Sequence, residues 1–113
     1  YKLDNLCAVV DRNRLQISGC TEDVMAHDSQ DERWASFGWH VLHAEGNNLD
    51  SLNNAFETAK TLKGKPTVII ADTTKGYGVS FIENQAGWHH RVPTEEEYQK
   101  ATEELKKRGE ANE

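Results

Sequence analysis

Apolar residues along this chain fall either into short unbroken runs or into spaced stripes. Leu6, Cys7, Ala8, Val9 and Val10 form one run within residues 3–11, and Val68, Ile69 and Ile70 form another within residues 67–72. Short, continuous, β-rich runs predict strands buried on both faces. A third short strand is predicted over residues 39–44. Polar residues 12–23, broken by Gly19, predict a loop. Residues 28–37 predict a helix, with Asp28 or Ser29 as cap, acids in the first turn and Gly38 just past its end. Its Trp34 and Phe37 lie three apart and are expected to face a core. Asn48 is the expected cap of a second helix, on which Leu49, Leu52, Phe56 and Ala59 recur at helical spacing. Gly64 and Pro66 end it. After a glycine-rich loop over residues 73–93, Thr94 and Glu97 make a capping box for a last helix. Tyr98, Ala101 and Leu105 are its apolar stripe, and Gly109 its expected end.

The order is strand, helix, strand, helix, strand, long loop, helix. It predicts an α/β fold, a parallel sheet flanked by helices with right-handed crossovers. Ligands on such sheets bind beyond the carboxyl ends of the strands. Residues 11–17 and 73–90 leave such ends and carry the candidate chemistry.

Composition narrows the class. At 113 residues the chain is one domain or part of one. Its hydrophobic share is 36%, short of the roughly 45–50% usual when glycine is also counted. That shortfall suits a polar domain, or a piece whose core is completed by other chain. Thirteen Lys and Arg against 19 Asp and Glu give a net charge of -6. Such a balance argues against a nucleic-acid or anionic-membrane surface. No apolar run approaches the roughly 18 residues of a membrane span. The chain starts at Tyr1 with neither an initiator Met nor a signal peptide, so more polypeptide is expected upstream. A cytoplasmic, reducing location is expected, with Cys7 as a small buried hydrophobe and Cys7 and Cys20 as thiols.

The Asn13 side-chain oxygen, with a free backbone carbonyl of residues 11–17, is a hard donor suited to Mg²⁺ or Ca²⁺. The plainer reading of that segment is a turn, which Asn and Asp favour unaided. Lys75, Gly76, Tyr77 and Gly78 offer a cation and pliable backbone for phosphate, yet lack both the Walker and the Rossmann spacing. His89 and His90 follow Trp88 on the same loop. A His beside Lys and Arg can donate to a diphosphate, although a solvent-exposed pair is the better explanation of these residues taken alone. Adjacent residues in extended chain point apart, which disfavours a metal shared by His89 and His90. His40 and His43 likewise face opposite sides of a strand, leaving zinc no convincing ligand set.

Taken in order, the segments resemble transketolase over almost the whole chain. The match runs through Asn5 and Leu6, through Val10, Asp11, Arg12 and Asn13, and through Leu15, Gln16, Ile17, Ser18 and Gly19. It continues in Phe37, Gly38 and Trp39, in residues 64–67, and in residues 74–80. It closes with Glu83, Asn84, Trp88 and His89 and the helix start at residues 93–98. The end is most similar to the separate N-terminal subunit of split transketolases. Residues 1–113 are therefore identified as part of a diphosphate-binding domain of transketolase type. The resemblance implies thiamine diphosphate as cofactor and ketol transfer between sugar phosphates as reaction. It also implies that Asn13 and the Leu15 carbonyl ligate the metal, and that Ile17 packs on the cofactor ring. Lys75 and His89 would reach the diphosphate and the sugar, with His89 as the catalytic candidate. Partners implied are the N-terminal half of the domain, a pyrimidine-binding domain or subunit, sugar phosphates, and a homo- or hetero-oligomeric assembly.

This chain departs from the pattern in three ways. The family's Gly-Asp-Gly opening, with its aspartate ligand, is not in it. Neither is the activating glutamate of the pyrimidine-binding domain, so the chain is expected to be inactive alone. Position 90 is His where the family usually has Gly. A 1-deoxy-xylulose-5-phosphate synthase-like enzyme and a non-catalytic cofactor-binding relic are the alternatives.

Overall fold

Strand β5 (Thr67–Asp72) runs between β1 (Cys7–Arg12) and β4 (His40–Glu45), parallel to both. The computed structural model describes residues 1–16, 19–20 and 30–110. Its remaining elements are a short antiparallel pair, β2 (Leu15–Gln16) with β3 (Gly19–Cys20), and helices α1 (Gln30–Ser36), α2 (Leu49–Thr61) and α3 (Glu95–Glu110). A 3-10 turn spans Ala86–Trp88. They divide into two compact units. One comprises Tyr1–Asn13 and Ala26–Thr73, the other Arg14–Met25 and Thr74–Glu113.

In the first unit the central strand takes most of the burial. Val68, Ile69 and Ile70 are fully buried, as a strand covered on both faces requires. Register aligns Val9, Ile69 and Leu42, so these three share one face of the sheet. Helix α2 covers that face with Ala55, which packs with Ala44 and Ile69 while Leu42 and Leu52 flank them. Helix α1 lies on the other face, where Asp31 holds His43 at 2.7 Å. The chain passes from β1 over to β4 and then returns to β5. Right-handed crossovers in opposed directions put their helices on opposite faces.

The structure corrects several expectations. β1 alternates between exposed and half-buried residues, and Cys7 is an exposed free thiol. The reason is position: among the described residues no strand pairs with the outer edge of β1. Thr67 N–H donates to the Leu6 carbonyl and Thr73 N–H to that of Arg12. Even-numbered residues of β1 therefore turn their peptide groups to β5, and Cys7, Val9 and Asp11 turn theirs to the open edge. Phe37 is 82% exposed, because α1 has already ended at Ser36 and Phe37 lies in the exit turn, where Gly38 N–H bonds Ala35. Trp34 does pack, edge-on to Trp39 with centroids 4.9 Å apart. On α2 the buried position is Ala55, while Leu49 and Phe56 are exposed. That helix stops at Thr61, before Gly64, and α3 runs one residue past Gly109. The caps hold. Asn48 accepts from Ser51 N–H at 3.0 Å, and Thr94 and Glu97 bond each other's N–H groups at 3.3 and 2.8 Å. The expected caps Asp28 and Ser29 lie outside the described residues.

Candidate functional site

The carboxyl ends of the three parallel strands are tied into one rim. Arg12 and Asp72 end their strands as register partners. The Arg12 guanidinium donates to both Asp72 carboxylate oxygens, at 2.7 and 2.8 Å. The Asp72 carbonyl accepts Gly46 N–H at 2.7 Å, which fastens the end of β4. The Thr73 hydroxyl donates to the Asp11 carboxylate, and the Ser51 hydroxyl accepts Glu45 N–H at 2.9 Å. An open depression of about 300 Å³ over this rim is lined by His43, Ala44, Glu45, Ser51 and Asp72. Asp11, Arg12 and Thr73 fall within the segments that the sequence marks as chemically loaded, whereas Glu45, Ser51 and Asp72 do not. The available signal for Asp72 is that its apolar run ends abruptly in an ionisable residue.

Asn13 leaves this rim directly after Arg12 and is half-buried. Arg14 follows with φ of 60°, a left-handed conformation that non-glycine residues adopt mainly in tight turns. A turn is therefore present, and it starts the Leu15–Gln16 strand of the second unit. Leu15 is half-buried there, paired with Cys20. Ile17 lies outside the described residues. Among the described residues no three His, Cys, Asp or Glu side chains gather as for a metal ion. Asn13 and Leu15 offer neutral amide oxygens, a donor type that hard cations accept.

Lys75 is half-buried, on a loop locked by its own bonds. Its carbonyl accepts Asn84 N–H at 2.9 Å, and Tyr77 N–H bonds Thr74. Glu83 accepts Gly78 N–H at 2.9 Å. The glycines serve this packing. At Gly76, φ is 72° and a side chain would meet the Ile82 carbonyl oxygen at 2.9 Å; at Gly78, φ is 99° and it would meet Leu105 at 3.2 Å. Only glycine meets both demands without strain.

His89 is exposed at the end of the 3-10 turn, with helical φ of -64° and ψ of -35°. Its ring meets that of His90 edge-on, with centroids 4.5 Å apart. The expected divergence of the two side chains assumed extended backbone, and the helical turn replaces it. Beside them Arg91 stacks 4.3 Å over Trp88 and pairs with Glu97, while Trp88 meets Phe81 edge-on. Leu15, Lys75 and His89 thus belong to the second unit and Asn13 to the first. Among the described residues no helix is long and apolar enough to cross a membrane.

The family described as transketolase, thiamine diphosphate binding domain, matches residues 1–109. The chain is 49% identical over 108 residues to one of the subunits of apulose-4-phosphate transketolase from Phocaeicola vulgatus, covering 96% of this chain and 38% of that protein. It is 40% identical over 108 residues to a 6-deoxy-6-sulfo-D-fructose transketolase subunit from a Clostridium species, covering 96% of this chain and 39% of the relative. Among solved structures, Campylobacter jejuni transketolase superposes with a TM-score of 0.85 at 31% identity, over 93% of this chain and 16% of that one. The chain thus spans well under half the length of these relatives.

Proposed function

Since the chain belongs to the family of transketolase thiamine-diphosphate-binding domains, we propose that it is part of the N-terminal subunit of a split transketolase. In that reading residues 1–113 are the back part of the diphosphate-binding domain. The observation that carries it is the 49% identity to a transketolase subunit over 96% of the chain. The assembled enzyme would move a two-carbon ketol unit between sugar phosphates, with Mg²⁺ or Ca²⁺ bridging protein and diphosphate. The cofactor, when bound, supplies carbanion stabilisation, and protein groups bind and orient.

Asn13 and the Leu15 carbonyl would tether the cation, and Ile17 would pack against the cofactor ring. Lys75 would neutralise diphosphate charge, and His89 would donate to diphosphate and sugar oxygens. The rim supports this reading. It anchors β1 and β5 at the point where the chain departs toward Asn13 and Lys75. Partners would be the remainder of the domain and a pyrimidine-binding subunit, in the cytoplasm. The match to subunits of split transketolases favours this over a deoxyxylulose-phosphate synthase-like enzyme.

The test is reconstitution. Residues 1–113 alone, with thiamine diphosphate, Mg²⁺, a ketose donor and an aldose acceptor, should give no ketol transfer. The same residues within a full-length N-terminal subunit, mixed with its partner, should give turnover. Turnover by the isolated chain would overturn the partial-domain reading, and failure of the full assembly would favour a non-catalytic relic.

A further inference from the structure

Four side chains on one side of α3 grip the loop that carries Lys75. Lys100 sits 5.0 Å over the Phe81 ring and Arg108 4.1 Å over the Tyr77 ring. Leu105 packs so close to Gly78 that a Cβ there would lie 3.2 Å from it. Between them both Glu104 oxygens are spent on one residue: they accept Ser80 N–H at 2.7 Å and the Ser80 hydroxyl at 2.8 Å. Spacings of four between Lys100, Glu104 and Arg108, and of three between Leu105 and Arg108, place these groups together. The loop needs such support, since Gly76, Gly78 and Asn84 all hold positive φ, and Asn84 closes the loop on the Lys75 carbonyl.

We propose that Glu104 is a positioning residue: by clamping Ser80 it fixes the loop conformation from which Lys75 meets an anionic phosphate group. Glycine-rich backbone is entropically free when unheld, so a lysine on it would otherwise pay for ordering when phosphate binds. A carboxylate accepting two hydrogen bonds at one serine removes that freedom beforehand. The bonds from Ser80, with Lys100 and Lys107 nearby, hold the Glu104 carboxyl below its usual range, as a working acceptor should be. The proposal rests on the reading of Lys75 as a phosphate contact.

The test is made within a full-length N-terminal subunit, with inorganic pyrophosphate, by amide hydrogen exchange and by the Lys75 side-chain and the Gly76 and Gly78 amide resonances. Glu104→Gln should speed exchange at Ser80 and Asn84 about tenfold or more, with the middle of α3 unchanged. It should also weaken pyrophosphate, read at Lys75, by a similar factor. Ser80→Ala, which leaves α3 intact, should reproduce part of both effects, and the double variant should add little. Unchanged exchange in Glu104→Gln and Ser80→Ala would overturn the proposal. So would faster exchange with unaltered pyrophosphate affinity, which marks a purely structural clamp. Lys75→Ala should abolish the pyrophosphate response of the Gly76 and Gly78 amides and leave Ser80 exchange at the wild-type rate. A response that survives Lys75→Ala, or its absence from the wild type, strikes instead at the Lys75 reading. Exchange at Asn84 then decides Glu104.

Discussion

Arg12 and Asp72 face each other across β1 and β5 as register partners, joined by two parallel hydrogen bonds of 2.7 and 2.8 Å. A planar guanidinium matches a carboxylate in this two-pronged way, and lysine cannot reproduce it. Their side chains are 27% and 40% exposed, so the pair gains less than a dry one but more than a surface pair. Arg12→Ala should lower unfolding free energy by about 1–2 kcal/mol, measured from the urea midpoint. Arg12→Lys should recover less than half. If the double variant with Asp72→Ala costs as much as the two singles summed, the residues are not coupled.

The open edge of β1 carries a second expectation. Leu6 is 42% and Val9 49% exposed beside the free Cys7. Phe56, Ala59, Lys60 and Lys63 line a cavity of about 490 Å³ with Leu6 and Cys7. An apolar strand edge with unpaired peptide groups invites another strand. Light scattering should find oligomers for the chain alone, and Val9→Lys should shift them toward monomer, since edge lysines oppose strand addition. A clean wild-type monomer that unfolds cooperatively would show that the fold closes on itself.

Sequence pattern carried the architecture because strand runs and helix caps act locally. The run at Val68–Ile70 specified the central strand, and Asn48 and Thr94 specified helix starts, each through nearby backbone groups. What failed depended on neighbours. Nothing in Cys7 or Val9 says that β1 lies at an edge among the described residues, and nothing in Phe37 says that its helix has just ended. The tie between Arg12 and Asp72 spans 60 residues, so no spacing rule reaches it. Lys75 and His89 stand out in sequence as ionisable residues on a glycine-rich loop, while the bonds that α3 makes to that loop join Ser80 to Glu104, 24 residues apart, beyond any spacing rule.

The start of α3 should be pH-sensitive. Thr94 N–H, bonded to the Glu97 carboxylate, is the main cause holding Glu97 below its usual value, with the Thr94 hydroxyl and Arg91 helping. A depressed folded value means that the carboxylate contributes stability above the ordinary carboxylate range. That contribution is lost as pH falls through the lowered folded value. Wild type should therefore exceed Glu97→Gln in helix stability near neutral pH, and the gap should close on acidification below about pH 4. A gap that stays constant to about pH 2 in thermal melts would mean that charge at Glu97 does not matter.

Asn13 and His89 should fail in different ways within the complete enzyme. Asn13→Ala would remove one oxygen ligand from the cation, which water must replace. The cation would still hold the diphosphate, but its tether to the protein would loosen. Apparent affinity for thiamine diphosphate should fall, and added Mg²⁺ should partly restore it. His89→Ala would delete a donor to diphosphate and sugar without touching the cation, so Mg²⁺ should not rescue it. Hydrogen bonds to charged groups are worth roughly 1.5–3 kcal/mol, about ten- to a hundredfold in affinity. Cofactor titrations of both variants at limiting and saturating Mg²⁺ separate the two roles. If Asn13→Ala binds cofactor like wild type at limiting Mg²⁺, Asn13 is only the turn residue that the left-handed Arg14 beside it already implies.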